Sequence, residues 1–313
     1  RRQRQMCIRD SRKYRNMLSD LGYNEAVTYS LVGKKEIEDA VMPHKDIVEL
    51  AAPMSEDHKY VRDSILPSLL ECVAYNPARS IKDIALFEIS NVYGLGHVEE
   101  RLAVAASGAL QENRWQKFRM EVDFYTVKGL VEALLESIGY QGSRVVFKEN
   151  HTDIVHFHPY RSAEVYLGRE LLGLVGQIHP KMAQAYDITE TLALEINLEV
   201  LLKNKPGKVK FTEVSKYPSI SRDLAFVVKE DVKVADIISS IKKNGKLEKE
   251  NIIQNVEVFD VYTGEHVEKG SKSIALSIVF QSAQRTLKDA DINEIHNRIL
   301  ETLEKDLHAQ LRA

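Results

Sequence analysis

The chain has 313 residues, of which 44% are hydrophobic and 28% are charged, and its formal net charge is −3 at pH 7. This length predicts about two domains of roughly 150 residues each, and the composition is typical of a soluble globular protein. The slightly acidic charge excludes a protein that binds nucleic acid as a general polycation, so any such contact must be local and depend on shape.

The two cysteines, Cys7 and Cys72, are far apart and form no CxxC pair, which indicates a reducing compartment and argues against zinc. No stretch approaches the ~18 apolar residues of a membrane span. The first segment, RRQRQMCIRDSRKYR, is basic without an apolar core, so it is not a secretory signal and we expect a cytoplasmic protein. It opens in mid-helix, as a fragment of a longer protein would. Its arginines are expected on a solvated helix face rather than in a nucleic-acid-binding arm, and residues 6–11 fit no pattern.

Residues 1–203 have the pattern of a strand-rich first domain. A short helix around Leu18 ends at Gly22, a strand is predicted over 26–32, and a longer helix opens near Pro67. The further predicted elements are strands over 84–93, 102–110, 156–165, 171–180 and 193–198 and a helix over 124–138. Because these elements lack the regular alternation of βαβ units, the predicted fold class is α+β with an antiparallel sheet. Residues 204–208, with Pro206 and Gly207, are the predicted linker.

Residues 209–313 follow the order of a ferredoxin-like βαββαβ domain. A strand is predicted over 223–229, then a helix that ends at Asn244-Gly245, then the two strands of a hairpin within 255–287. Thr286 and Asp289 have capping-box spacing, an apolar stripe from Ile292 to Leu307 predicts a second helix, and a short last strand follows over 309–313. This order places both helices on one sheet face and leaves the other face free for a ligand.

The hairpin strands alternate between a buried and an open face. In the second strand, Ile274, Leu276, Ile278 and Phe280 share one face, and Ser273, Ala275, Ser277 and Gln281 share the other with Val279. In the first strand, Phe259 and Val261 are predicted to be buried, which puts Asp260 and Tyr262 on the open face. Val256 and Val258 then lie out of register, so a β-bulge or a strand end is expected near them.

Four segments of the second domain carry a resemblance to a known family. They are YPSISRDLAF (217–226), FDVYTG (259–264), GSKSIA (270–275) and RTL (285–287). In this order and spacing they resemble the C-terminal anticodon-binding domain of bacterial phenylalanyl-tRNA synthetase β subunits. LGYNEAVTYSLV (21–32) and the block over 49–76 resemble the module that precedes it in that family. Ala52 and the run RDSILP (62–67) depart from the family's Asn and its Arg-Thr-Ser-Leu-Leu-Pro. The resemblance covers residues 12–313.

The resemblance implies a class II synthetase-like fold for the first domain and a place in an α2β2 heterotetramer. The family enzyme joins phenylalanine to its tRNA through a phenylalanyl-adenylate made from ATP, with Mg2+, and its active site is on the α subunit. This chain is therefore expected to bind no cofactor itself. The first domain would dock the α subunit, the second would hold the anticodon of phenylalanine tRNA, and the family's editing modules would lie upstream of Arg1.

No catalytic residue is predicted in the first domain. Class II synthetases need an arginine on the strand of their second motif to neutralise ATP phosphate, and no arginine precedes Glu88 in LFEIS (86–90). GLGHVEERL (94–102) is similar to the third motif but lies in the wrong place. The first domain is thus expected to be a non-catalytic copy, which disfavours an adenylate-forming ligase.

Metal binding is also not predicted. His156 and His158 could chelate a metal from a strand, but only Asp153 stands nearby. Structural roles are expected for both histidines and for His179.

Asp260, Tyr262 and Ser273 are the predicted anticodon-binding residues. An aromatic ring can stack on a splayed-out base, and a carboxylate and a hydroxyl can pair with base edges; the family's anticodon contacts fall on the same strands. The alternative is that Asp260 caps the hairpin and Tyr262 covers the sheet edge. Arg222 and Arg285 could contact the RNA backbone or pair with carboxylates such as Asp223 and Asp289. At the level of function, the alternative is a stand-alone RNA-binding adaptor derived from the synthetase.

Overall fold

The computed structural model describes residues 12–140, 144–204, 206, 211, 213–247, 250–264 and 267–311. The chain divides into two compact units, residues 1–209 and 210–313. The predictions for the basic first segment and for Cys7 lie outside the described residues, as does most of the predicted linker. No helix among the described residues is both long and apolar enough to cross a membrane.

In the described residues of the first unit, six α-helices accompany a large sheet. Its helices are α1 (12–20), α2 (Lys34–Glu38), α3 (Leu66–Tyr75), α4 (Phe124–Ile138), α5 (Pro180–Ala185) and α6 (Leu198–Lys203). Its strands are β1 (Asn24–Glu25), β2 (Leu31–Val32), β3 (Tyr60–Val61), β4 (Ile84–Gly94), β5 (His97–Ser107), β6 (Ala109–Asn113), β7 (Phe118–Glu121), β8 (Val145–Glu149), β9 (Phe157–Leu167), β10 (Glu170–Ile178) and β11 (Thr191–Asn197).

The large sheet has seven strands in the order β1-β4-β5-β11-β10-β9-β8. Every neighbouring pair is antiparallel except β1 and β4, so the predicted α+β class with an antiparallel sheet is confirmed. The predicted strand over 26–32 is wrong, because only Leu31 and Val32 of that run pair as a strand. The backbone N–H of Thr28 donates instead to the carboxylate of Glu88, at 3.2 Å.

Both faces of this sheet are covered by apolar side chains. On one face Leu102, Val104 and Leu194 pack with residues of α1, α4 and α6. On the other face Ala103, Ala105 and Ala193 pack with residues of α3 and α5. The alternation along β5 and β11 therefore builds two cores, one on each side of the sheet.

The second unit is a four-stranded sheet with two helices on one face. Its elements are β12 (Ile220–Lys229), α7 (Val234–Asn244), β13 (Lys246–Leu247), β14 (Glu250–Asn251), β15 (Ile253–Tyr262), β16 (Ser271–Phe280), α8 (Asp289–Leu307) and β17 (Gln310–Leu311). The strand order is β15-β16-β12-β17, which with the chain order confirms the predicted ferredoxin-like domain. Ile237, Ile292 and Ile299 bury the helices against Leu276 and Ile278.

The predicted start of the second helix of this unit is wrong. Helix α8 begins at Asp289, after Lys288, and the carboxylate of Asp291 accepts the backbone N–H of Lys288 at 2.9 Å. The predicted box of Thr286 and Asp289 is therefore not formed, because the helix starts two residues later than that spacing requires.

The first hairpin strand has a bulge at Phe259. Val258 pairs with Leu276 and Asp260 pairs with Ala275, so Phe259 has no partner across the strands. Val256 and Val258 consequently share the face of Leu276, and Phe259 is exposed. The predicted burial of Phe259 and Val261 is wrong, whereas the predicted bulge near Val258 is confirmed and is the reason for the difference.

Candidate functional site

The helix-free face of the second unit includes four rows of side chains across β12, β16 and β15, and beyond them Lys229 pairs with Ser271 on the same face. From the register, these rows are Val227–Ser273–Tyr262, Ala225–Ala275–Asp260, Asp223–Ser277–Glu257 and Ser221–Val279–Asn255. We call this surface the open face. Its middle is made mostly of small side chains, so a flat ligand can approach the sheet closely, and its flanks carry Tyr262 and three carboxylates.

The structure brings Asp260, Tyr262 and Ser273 together at one end of the open face. Tyr262 pairs directly with Ser273, and Asp260 lies in the next row. Asp260 is exposed, and Tyr262 is 37% exposed, but Ser273 is only 4% exposed. A ligand can therefore reach Asp260 and Tyr262 as the structure stands, whereas Ser273 lies beneath the surface.

Gly264 leaves room for the Tyr262 ring. A Cβ atom at residue 264 would lie 2.3 Å from the hydroxyl oxygen of Tyr262, closer than any real contact. The absence of a side chain at residue 264 in FDVYTG therefore allows the ring to fold back over the chain.

Arg222 and Arg285 are placed away from the open face. Arg222 pairs in the sheet with Ile278, a buried residue of the helix side, and its Nη2 lies 3.0 Å from Oδ1 of Asp289. Nη1 and Nη2 of Arg285 donate to the two carboxylate oxygens of Asp291, at 2.7 and 3.0 Å. Both arginines therefore form ion pairs with carboxylates at the start of α8.

The ion pair between Arg285 and Asp291 changes the pKa of the Asp291 carboxyl group. Hydrogen bonds from Arg285 and from the backbone of Lys288 lower the pKa of Asp291 to about 2. The stabilisation by this pair is fully present above the unfolded-state pKa of about 3.9 and is lost as the pH falls through the folded-state value. We expect Arg285→Ala to raise the pKa of Asp291 toward its ordinary value, as measured by carboxyl NMR. Arg222→Ala is the matched control, and an equal rise in that variant would contradict the assignment.

In the first unit, sequence reasoning missed the partners of Glu88. One carboxylate oxygen of Glu88 accepts a hydrogen bond from Nη2 of Arg62 at 2.8 Å, and the other accepts one from the hydroxyl of Thr28 at 2.7 Å. Nη1 of Arg62 also donates to the hydroxyl oxygen of Thr28 at 2.8 Å. Arg62 is 1% exposed, so its positive charge is used inside the protein and cannot meet a phosphate group.

A second buried ion pair joins Arg101 and Glu195. Nη1 of Arg101 lies 2.9 Å from Oε1 of Glu195. The other oxygen of Glu195 accepts the hydroxyl of Ser64 at 2.7 Å and the backbone N–H groups of Ile65 and Leu66 at 3.1 and 3.0 Å. Glu195 thereby satisfies free donors at the start of α3 from a different strand. Arg101, the arginine of the GLGHVEERL segment, is likewise occupied within the fold.

The three histidines predicted to be structural all have local contacts. Nδ1 of His156 lies 2.8 Å from Oδ2 of Asp153; this hydrogen bond raises the pKa of His156 against the opposing effect of burial. His158 and His179 each accept a backbone N–H, from Tyr160 and Lys181 respectively, at 3.2 Å. Among the described residues, no group of three or more His, Cys, Asp or Glu side chains is placed to hold a metal ion.

The first unit also exposes apolar side chains beside a cavity. Val27 is 90% exposed and Tyr29 is 79% exposed, and both line a cavity of about 270 Å³ between the 27–32 segment, α2 and α3. Glu71 lines the same cavity, where burial and a hydrogen bond with Glu36 raise its pKa to about 7. Exposed aromatic and aliphatic side chains that adjoin a recess are typical of a protein-docking surface.

Family models and curated relatives agree on one family. A family model described as the phenylalanyl tRNA synthetase beta chain CLM domain matches residues 2–198, and one described as a ferredoxin-fold anticodon binding domain matches residues 215–312. The phenylalanine–tRNA ligase beta subunit of Bacillus subtilis is 36% identical over 307 residues, 96% of this chain and 37% of that protein. That of Staphylococcus epidermidis is 35% identical over 301 residues, 94% of this chain and 36% of that protein.

The chain therefore spans little more than a third of the length of these relatives. Among solved structures, a pyrrolysyl tRNA synthetase from Desulfitobacterium hafniense is similar with a TM-score of 0.46 and 18% identity, over 63% of this chain and 65% of that one.

Proposed function

Since the chain belongs to the phenylalanyl-tRNA synthetase β-chain family, we propose that it is part of the β subunit of a cytoplasmic phenylalanine–tRNA ligase. Its first unit docks the catalytic α subunit within an α2β2 assembly. Its second unit holds the anticodon of phenylalanine tRNA on the open face. The observation that carries the proposal is the meeting of Asp260 and Tyr262 on an accessible sheet face in a unit that matches an anticodon-binding family.

The anticodon role follows from the chemistry of the open face. The exposed ring of Tyr262 offers a surface on which an unstacked base can lie, and Asp260 offers acceptors for amino or imino groups of a base edge. Small side chains in the middle strand allow a base to approach the backbone. Arg222 and Arg285 do not line this face, so they are proposed as structural residues that fix the start of α8 rather than as RNA contacts.

The first unit is proposed to do no chemistry. Arg62, the arginine that contacts Glu88, is fully buried and neutralised, and Arg101 is occupied by Glu195. Both faces of the large sheet are packed with apolar side chains, which argues against a nucleotide site on the sheet itself. Activation of phenylalanine with ATP and Mg2+ is therefore assigned to the α subunit, and this chain supplies docking and tRNA positioning.

The docking role is assigned to the exposed apolar surface around Val27 and Tyr29. Large exposed aromatic side chains often dominate the binding energy of protein interfaces. The test is co-expression of this chain with a bacterial phenylalanyl-tRNA synthetase α subunit, followed by the mass of the purified assembly. We expect both chains in one stable complex, and we expect Tyr29→Asp to abolish it because a charge cannot be buried there without a partner.

Tyr160→Asp is the matched control for this experiment, since Tyr160 is also a strongly exposed tyrosine of the same unit. It should leave the complex intact. Separation of the two wild-type chains on purification would contradict the docking role and would favour a stand-alone RNA-binding adaptor.

A further inference from the structure

The hairpin of β6 and β7 in the first unit presents basic and aromatic side chains together. Residues 114–119 read RWQKFR, a run with three cations, two aromatic rings and no carboxylate. All six residues are exposed, and the two rings, Trp115 and Phe118, are 92% and 45% exposed. Two exposed aromatic rings on one short hairpin form an apolar patch with a cationic rim, and such patches mark binding sites.

The tip of this hairpin is a closed turn. The side-chain oxygen of Asn113 accepts the backbone N–H of Gln116 at 3.2 Å, and the backbone N–H of Lys117 donates to the carbonyl oxygen of Arg114 at 3.3 Å. Trp115 lies inside this turn and not on a long loop. A ligand that covers the ring therefore has little backbone to order, which lowers the entropy cost of binding.

Arg119 fixes the base of the hairpin to the large sheet. Its guanidinium donates to the carboxylates of Asp83 at 3.0 Å, Glu112 at 2.9 Å and Glu121 at 2.6 Å. Asp83, which lies just before β4, also accepts the backbone N–H of Ala109 at 2.9 Å. The hairpin is therefore held in place at its base, and the charge of Arg119 is committed to these carboxylates.

Two other cations lie at the tip, one on each side of Trp115 in the chain. The side chain of Arg114 is 91% exposed, and its Nε lies 3.2 Å from a carboxylate oxygen of Glu112. Lys117 is also exposed. An aromatic ring between two cations matches a nucleotide, because the ring can stack on the base while the cations contact phosphates. RNA is favoured over an acidic protein segment because the second unit of the same chain matches an anticodon-binding family.

We propose that Trp115, Arg114 and Lys117 form a separate RNA-binding site on the first unit, which stacks an unpaired nucleotide of the tRNA outside the anticodon. The proposal rests on the function proposed above, because it requires tRNA as the ligand. A stacking ring contacts the face of a base and tolerates any sequence. This site therefore adds affinity for tRNA without selecting the anticodon.

The fluorescence of Trp115 reports whether the ring is covered. Trp115 is the single tryptophan of the chain, so fluorescence excited at the long-wavelength edge of the tryptophan band comes from this residue. We expect a phenylalanine tRNA transcript to quench it, with the same binding curve as the anisotropy of the labelled transcript. Fluorescence that stays unchanged when the chain is saturated with tRNA would overturn the site.

Trp115→Ala is expected to weaken tRNA binding about fivefold or more, the effect of losing one stacked ring. The factor should be the same for the native transcript and for one that carries the anticodon of another amino acid. Trp115→Phe keeps a ring and should retain most of the affinity. Tyr125→Ala is the matched control, since it removes an exposed tyrosine of α4 in the same unit, and it should bind as the wild type does. An unchanged affinity in Trp115→Ala would overturn the site.

The two cations are tested by the salt dependence of binding. Arg114→Ala/Lys117→Ala removes two phosphate contacts, so the slope of log affinity against log salt concentration should become shallower by about 1.5. Arg169→Ala/Lys181→Ala removes the same charge from two other exposed positions of the first unit and should keep the wild-type slope. Equal slopes in the two double variants would contradict the phosphate contacts and the proposal with them.

The same measurements separate this site from the functions proposed above. If the wild-type chain prefers the native anticodon but Trp115→Ala binds normally, only the hairpin site is wrong. If the wild-type chain lacks that preference but Trp115→Ala weakens binding, only the anticodon function is wrong, and a chain that does not bind tRNA contradicts both. Trp115→Ala should also still assemble with the α subunit on co-expression; loss of that complex would assign the hairpin to protein docking instead of RNA.

Discussion

Glu195→Ala is expected to lower the free energy of unfolding of the first unit by about 3–5 kcal/mol, the usual cost of removing one partner of a buried ion pair. The substitution leaves the buried guanidinium of Arg101 without this carboxylate. It also strips acceptors from the hydroxyl of Ser64 and from two backbone N–H groups at the start of α3. Denaturant unfolding measured by circular dichroism gives the difference.

The matched control is Glu190→Ala, because Glu190 is an exposed carboxylate just before the same strand and its ion pair with Arg161 is 3.5 Å long. An exposed pair contributes about 0–1 kcal/mol, so this variant should unfold almost as the wild type does. Equal unfolding free energies for the two variants would show that the network around Glu195 does not stabilise the fold.

Tyr262→Ala is expected to weaken the binding of phenylalanine tRNA by about 1–3 kcal/mol, the usual effect of removing one base-stacking ring. The ring is partly exposed at the end of β15 and covers no core residue of the second unit, so the fold should remain intact. Affinity is measured by filter binding or fluorescence anisotropy at one stated salt concentration, since phosphate contacts make the affinity depend on salt.

Two further variants make this result specific. Tyr262→Phe keeps the ring and should retain most of the affinity. Phe259→Ala removes a neighbouring exposed aromatic side chain of the same strand, the bulge residue that has no place in the four rows, and should leave the affinity unchanged. An unchanged affinity in Tyr262→Ala would remove this tyrosine from the binding site.

The period-two pattern was sufficient to predict the faces of β16 but not those of β15. In β16 each apolar residue from Ile274 to Phe280 is followed by one of the open face, so only one register fits. In β15 both Val256 with Val258 and Phe259 with Val261 fit an alternating pattern, and the sequence allows either pair to be buried. The bulge at Phe259 decides between them, and a bulge depends on the pairing with the neighbouring strand rather than on the local sequence.

The buried ion network could be predicted only in part. Glu88 and Glu195 each lie in the middle of an apolar strand, within IALFEIS and TLALEIN, and a carboxylate in such a place needs a partner. That signal indicates a buried charge without naming the residue that neutralises it. Arg62 is 26 residues from Glu88, and Arg101 is 94 residues from Glu195, so the pairs are set by the tertiary fold.

Exposure of the site residues also required the structure. The sequence places Ser273 and Tyr262 on the same face, and the register confirms that they are neighbours. The sequence gives no indication that Ser273 is buried or that Gly264 allows the ring of Tyr262 to fold back. Both depend on side-chain packing at the end of the sheet, which alternation of residue types does not determine.

The most direct test of the account compares the affinity of this chain for phenylalanine tRNA with its affinity for the same tRNA carrying the anticodon of another amino acid. If the open face reads the anticodon, the native transcript should bind about tenfold more tightly or better, because several base contacts are lost together. Equal affinity for the two transcripts would mean that the second unit does not recognise the anticodon, and the central claim would be wrong.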